Sequence, residues 1–280
     1  MAPRPLNVFN PGRTGPAAGG MTPPAGTGGG EKGRMDTVQA YARNHAEAWR
    51  HLLAGRIEET HTHDGFDVLR TADPMETRAH LTRASAHVPD RLSSVLSVPG
   101  RVSLDDPFGK LQPPEGFAPT PRPVMVRRGS AGPAPAARPR PEIETDTVGE
   151  EKALLTVERL IVDGFPLPSR QPHRPQCFLP VSLLDAPGWR AWLATYRGSP
   201  ASACLTFDHG GVVALYWLVT TSEHRSRGIA RAVLTRVLRH HRGRDVVLVP
   251  TEDGRPLYDS LGFVEAGRGG FHTRTNAETP

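Results

Sequence analysis

Cysteine is almost absent from this 280-residue chain. Only Cys177 and Cys204 occur, in unrelated surroundings, so neither a disulfide framework nor a cysteine-based metal site is indicated, and a reducing compartment is the default. Aromatic residues are also few, at 6%. No apolar run reaches the roughly 18 residues of a membrane-spanning helix, and the N-terminus lacks the apolar core of a secretory signal. These absences lead to the expectation of a soluble, cytoplasmic protein without a membrane partner. Charge is not lopsided: 34 Lys plus Arg against 29 Asp plus Glu leave a net +5, carried mainly by scattered Arg. No basic stripe interleaved with aromatics and no nucleic-acid-binding motif accompanies the excess, so no nucleic-acid partner is expected. A basic nucleic-acid-binding protein stands as a rival reading, while attraction of a polyanionic cofactor accounts for part of the excess equally well.

Glycine and proline, 29 of each, punctuate the chain and divide it. Residues 1–35 hold almost no large apolar side chains and cannot offset the entropy of ordering, so a disordered tail is expected there. Asp36, with Gln39 as capping partner, is expected to open a helix with Val38, Tyr41, Ala42, Trp49, Leu52 and Leu53 on one side. Residues 36–128 read as a small N-terminal α/β region in which Arg91–Val98 and Gly100–Leu104 suggest short strands and turns. His61, His63 and Asp64 fall in one short stretch that reads as a solvated turn, and no metal is expected. Residues 129–140 form a Pro- and Ala-rich linker, and a second domain is expected over 141–275.

Within that second domain the most informative stretch runs from Leu218 to Ala230. The uninterrupted apolar run Val212–Val219, rich in β-branched and aromatic residues, predicts a buried strand. Ile229, Val233, Leu234, Val237 and Leu238 recur at helical spacing and predict a helix directly afterwards. Between the two, Arg225, Ser226, Arg227, Gly228, Ile229 and Ala230 place free backbone N–H groups at a helix N-terminus, where partial positive charge favours a pyrophosphate. Neither a P-loop nor a dinucleotide-binding glycine fingerprint is present.

Arg225-Ser-Arg-Gly228-Ile-Ala230 resembles the acetyl-CoA pyrophosphate loop of the GNAT superfamily of acyl-CoA N-acyltransferases. Downstream, Tyr258-Asp-Ser-Leu-Gly-Phe263 is similar to the superfamily's Tyr, three residues, Gly-Phe signature. The resemblance implies an α+β fold: a mixed, largely antiparallel sheet flanked by helices. It implies the order helix, three strands, phosphate loop, helix, strand, short helix and two final strands. Gly116-Phe117 within Glu115–Arg127 weakly echoes Gly262-Phe263 within Leu261–Thr273. The N-terminal region therefore resembles a degenerate first lobe, with an unrelated small α+β extension as the alternative.

Acetyl-CoA as cosubstrate, and acetyl transfer to a primary amine of a small molecule or peptide by direct attack, are what the resemblance implies. Leu218, Val219 and Thr220 then occupy the strand edge that pairs with the pantetheine arm, and one of their N–H groups polarises the thioester carbonyl. Tyr258 matches the superfamily's general acid, a phenol that stays protonated at neutral pH and donates to the departing thiolate. Many relatives carry a carboxylate on the strand before the loop. Val212–Val219 has none, which leaves the general base unassigned and motivates a second rival, a non-catalytic acyl-CoA-binding regulatory module. Alternation along the strand predicts that Tyr216 and Trp217 face opposite ways. A homodimer is compatible with this reading.

Overall fold

The computed structural model describes residues 29–72, 75–134, 140–165 and 167–276. Helix α1 (Gly29–Leu52) is followed by β1 (Ile57–His63), β2 (Phe66–Ala72), β3 (Met75–Leu81), α2 (Asp90–Leu96), β4 (Gly100–Asp106) and β5 (Ala118–Arg127). The second half contains β6 (Ile143–Val148), α3 (Glu151–Gly164), β7 (Trp189–Tyr196), β8 (Ser199–His209), β9 (Val212–Thr220), α4 (Ile229–His240), β10 (Val246–Leu248), α5 (Arg255–Asp259) and β11 (Val264–Asn276). This is the α+β architecture expected from the sequence, but both halves share one eleven-stranded sheet, in the order β1-β2-β3-β4-β11-β5-β10-β9-β8-β7-β6.

Helical periodicity is honoured where it was clearest. On α4, Ile229, Val233, Leu234, Val237 and Leu238 are all buried, each apolar side chain contributing about 2 kcal/mol. They pack with Leu215 of β9, Leu248 of β10 and Phe263 on one side of the sheet. The other side carries α1 and α3, where Val38, Tyr41, Trp49 and Leu52 meet Leu154, Val157 and Ile161 in the larger core.

Three expectations about elements are corrected. Helix α1 begins at Gly29, so Asp36 lies within it, and the amide of Gln39 donates to the Thr82 carbonyl instead of capping a helix start. Residues 1–28 of the expected tail lie outside the described residues. Asp90–Leu96 is a helix, because Leu92 and Leu96, four apart, both enter the core. The two final strands are one, β11, thirteen residues long. Its Gly267 and Gly269 serve close packing: a Cβ on Gly267 would sit 2.7 Å from Val38 Cγ2, and one on Gly269 would sit 2.6 Å from the Asp106 carbonyl.

Strand β5, from the first half, fills the place beside β10. It pairs antiparallel with β10 through Met125–Arg127 and with β11 from Val264↔Val126 to Thr273↔Ala118. The two segments that echo each other in sequence are therefore each other's partners at the middle of the sheet. Outward from that line the succession repeats: β11-β4-β3-β2-β1 on one side and β5-β10-β9-β8-β7 on the other, with β3–β4 and β9–β10 the two parallel pairs.

Candidate functional site

Strand β9 leads into the site and is distorted on the way. Ala203 pairs with Val219 and Leu205 with Tyr216, so β9 carries one extra residue over that interval, and Trp217 takes φ +49° at the bulge. The bulge corrects the expectation that Tyr216 and Trp217 face opposite ways. Their ring centroids are 5.2 Å apart, and Trp217 meets Phe178 at 5.0 Å and Trp49 at 5.8 Å, edge-on in both cases. Both rings join the aromatic cluster under α1.

On its other edge β9 pairs with β10 through two residue pairs, Val246↔Val213 and Val247↔Ala214. Beyond Ala214, residues 215–220 continue without β10 beside them, which opens a cleft between parallel strands at their C-terminal ends. Leu218 is half-buried against the α4-side core, Val219 is buried on the α3 side, and Thr220 is half-buried with its hydroxyl donating to Ser202 Oγ at 3.1 Å.

The loop that follows is exposed from Arg225 to Gly228. Ser226 (φ +61°) and Gly228 (φ +77°) both adopt left-handed backbone, a conformation free for glycine but strained by about 1 kcal/mol for serine. The first helical bond of α4 runs from the Ala232 amide to the Gly228 carbonyl at 3.0 Å. The amides of Ser226, Arg227, Gly228, Ile229, Ala230 and Arg231 have no acceptor among the described residues. Left-handed residues in a turn that feeds a helix N-terminus form an anion-binding concavity.

The two arginines diverge. Arg225 Nε donates to the Thr220 carbonyl at 3.3 Å, folding the side chain back over the strand end. Arg227 lies over the Tyr196 ring at 5.1 Å. Arg140, from the end of the linker, reaches the loop as well, with its Nε 3.5 Å from where a Gly228 Cβ would stand.

Tyr258 packs edge-on against Phe263 at 5.7 Å, in the cluster that contains Cys204, Leu215, Ile229 and Leu248. It is 7% exposed, and its hydroxyl has no hydrogen-bond partner among the described residues. Burial, reinforced by Cys204, raises its phenol above the ordinary value of 10, so it stays protonated across the neutral and mildly alkaline range.

A groove of about 780 Å³ runs from the phosphate loop along α3. It is lined among others by Arg159, Asp163, His173, Thr220, Glu223 and Arg225. The Glu223 carboxyl is lowered from its ordinary value by a hydrogen bond to its own backbone, and it is exposed. The wall of the groove is built on Glu158, which sequence reading passed over. Its carboxylate is fully buried and accepts the amides of Gln176 (2.8 Å), Phe178 (2.6 Å) and Leu179 (2.9 Å), with His173 Nε2 at 3.2 Å. The signal was present: Glu158 falls on the apolar stripe between Leu154 and Ile161, where a charge is out of place unless it is bonded.

His61 and His63 lie in strand β1 and not in the turn expected from the sequence, because they pair with Val68 and Phe66 of β2; half-exposed, they contact Glu59 (3.5 Å) and Asp64 (2.9 Å). No helix among the described residues is long and apolar enough to cross a membrane.

An open parallel cleft, a left-handed turn and a helix start with free amides stand in sequence along one strand, and the family comparison meets them there. Residues 156–263 match the acetyltransferase (GNAT) family model. The matched stretch runs from within α3, through the cleft and the phosphate loop, to the Gly-Phe pair after Tyr258, so the GNAT resemblance of the C-terminal half is shown. The GNAT fold supports acyl transfer in general. No curated protein matches the sequence.

Among solved structures, the GCN5-related N-acetyltransferase from Kribbella flavida is 12% identical, with a TM-score of 0.57 over 84% of this chain and 96% of that one. A functionally unknown conserved protein from Staphylococcus epidermidis is 12% identical, with a TM-score of 0.55 over 78% and 94%. A GNAT-family protein from Novosphingobium aromaticivorans is 18% identical, with a TM-score of 0.51 over 78% and 92%. At these identities the likeness is one of fold, and it extends over both halves of the chain.

Proposed function

We propose that the protein is an N-acetyltransferase that moves an acetyl group from acetyl-CoA to a primary amine. The pyrophosphate rests on the amides of Ser226, Arg227, Gly228, Ile229 and Ala230, with Arg225 beside them, and the pantetheine arm pairs with the free edge of Leu218, Val219 and Thr220. The amine nitrogen attacks the thioester carbonyl, the C–N bond forms, and the C–S bond breaks as the thiolate takes the Tyr258 proton. An amine that arrives as a cation, which the groove carboxylates Asp163 and Glu223 suit, first gives one proton to water there and attacks as the neutral base, and the second proton, lost from nitrogen as the amide forms, returns through water to restore the Tyr258 phenol. The observation that carries this reading is the row of amides without acceptors at the start of α4, directly after a strand that has parted from its neighbour.

In this reading the N-terminal half is a degenerate lobe of the same kind. The repeated strand succession supports it, and so does the contrast at the parallel pairs. β3 and β4 remain joined through five residue pairs, from Glu76↔Arg101 to His80↔Asp105, where β9 and β10 have two. A strand pair closed to its end leaves no cleft for a cosubstrate.

The second reading, an acyl-CoA-binding module without acceptor chemistry, is favoured by the absence of a carboxylate on β9. A turnover screen separates them: acetyl-CoA with a broad amine panel, following release of free CoA. Release with at least one amine, lost in the Tyr258→Phe protein, supports the enzyme. Thermal stabilisation by acetyl-CoA with no release from any amine supports the module.

A further inference from the structure

Away from the acyl-transfer site, α1, β3 and β4 bring together three ligand-type side chains that the chemistry above leaves unused. His45, His80 and Asp105 each offer one donor atom, and the three atoms lie within 4.8 Å of one another. All three residues are buried. His80 and Asp105 are direct register partners, the last pair before the ends of β3 and β4. His45 stands over them from α1.

The hydrogen bonding of this cluster does not close. His45 Nε2 lies 2.6 Å from Asp105 Oδ2, which calls for a hydrogen on that nitrogen. Trp49 Nε1 donates to the same nitrogen at 3.2 Å, which calls for a lone pair. His80 is 3% exposed, yet neither of its ring nitrogens has a partner among the described residues. A buried imidazole with both nitrogens unbonded is rare, because each has a proton or a lone pair to satisfy.

We propose that His45, His80 and Asp105 bind a zinc-class divalent cation. Two imidazoles and one carboxylate are a borderline N/O set, suited to zinc and unlike the all-oxygen shells of calcium and magnesium. The ion uses the free nitrogen lone pair of His80 and takes the place of the contested hydrogen between His45 and Asp105. The 2.6 Å between those two atoms widens to about 3.3 Å around a tetrahedral ion with bonds of about 2.0 Å. The second cluster of metal-ligand types, Glu158, His173 and Cys177, differs in the decisive respect. Three backbone amides fill three of the four acceptor positions of the Glu158 carboxylate and His173 Nε2 faces the fourth at 3.2 Å, so that cluster is already satisfied by hydrogen bonds.

The position gives the ion a structural effect. It ties α1 to the ends of β3 and β4 at the point where the corresponding strands of the other half part. The inference does not depend on acetyl transfer and is tested without an activity assay.

Tag-free full-length protein is stripped with a chelator, dialysed against zinc chloride and then buffer, and its zinc measured by mass spectrometry. A parallel sample receives cobalt and is read by visible absorption. The expected result is about one zinc per chain, a midpoint of thermal unfolding raised by about 5 °C at zinc well above Kd, and the intense bands of tetrahedral cobalt. His80→Ala leaves the His45–Asp105 pair in place and lowers zinc affinity about a hundredfold or more with an unchanged circular dichroism spectrum. His173→Ala keeps the full equivalent. Wild-type protein that retains under about a tenth of an equivalent overturns the proposal whatever the variants do. So does a folded His80→Ala protein that holds zinc as tightly as wild type, or loss of the metal with His173→Ala.

Discussion

Tyr216 Oη donates to Asn44 Oδ1 at 2.8 Å, across 172 positions of sequence. The Asn44 amide nitrogen faces the carbonyls of Phe207 (3.0 Å), His209 (3.0 Å) and Val212 (3.3 Å). One side chain of α1 thus closes the β8–β9 hairpin and holds the aromatic strand that leads to the phosphate loop. Replacing it strands a buried phenol and buried carbonyls, each costing about 1–3 kcal/mol. Asn44→Ala is expected to destabilise the protein by about 3 kcal/mol and lower the unfolding midpoint by on the order of 6 °C in calorimetry. An unchanged midpoint removes Asn44 from this role.

Arg225 is the side-chain cation that lines both the loop and the groove. Charge reversal at that position replaces a charge-assisted contact of about 1.5–3 kcal/mol with repulsion. Arg225→Glu is expected to raise the KM for acetyl-CoA by about ten- to a hundredfold with kcat little changed, since the contact is made equally in ground and transition states. A KM within twofold of wild type, in steady-state kinetics at low salt, counts against phosphate contact.

Tyr258 separates packing from chemistry in a single atom. The ring is held by Phe263, while the hydroxyl has no partner among the described residues, so Tyr258→Phe is expected to unfold within about 2 °C of wild type and to lose about a hundredfold in kcat. Because burial raises the phenol, the wild-type rate is expected to show no alkaline fall from this group up to about pH 10. Full activity in the phenylalanine variant assigns Tyr258 to the core alone.

His241 ends a buried chain in which Trp192 Nε1 donates to Thr206 Oγ1 at 3.0 Å, and Thr206 lies 3.3 Å from His241 Nε2. Burial, then the neighbouring His240, lowers its pKa from the ordinary 6.5 to about 4. The unfolded chain therefore takes up a proton near pH 6.5 that the folded chain refuses until about pH 4. This contribution to stability is complete above pH 6.5 and is lost as the pH falls through that window. Chemical denaturation from pH 7 to 4 is expected to show a decline that is shallower in His241→Asn, by up to one bound proton. Parallel profiles for the two proteins refute the assignment.

How far the sequence could be read depended on the range of the forces involved. The β9–α4 unit was legible because its signals are local: an apolar run, a left-handed glycine and an amphipathic repeat within thirty residues. The bulge at Trp217 was not, because it arises where the Ala203–Leu205 interval of β8 meets a longer interval of β9. Nor was the partnership of β5 with β10 and β11, since strand pairing across 119 or more residues leaves no periodicity behind it. Pro119, Pro121 and Pro123 read as punctuation, yet they sit within a strand. The ligand cluster escaped because His45, His80 and Asp105 are each isolated in sequence and become neighbours only when α1 settles on the first half of the sheet.

The insertion of β5 between β10 and β11 has a practical corollary for anyone who trims the gene. A fragment cut to the stretch recognised by the family comparison begins inside α3, and it discards β5, the strand that pairs with β10 on the side away from β9. Its raw hydrogen-bonding edge, rich in valine, would invite association with other chains before any catalytic question was asked. The chain has to be handled whole, because the strand that finishes its second half is made during the first.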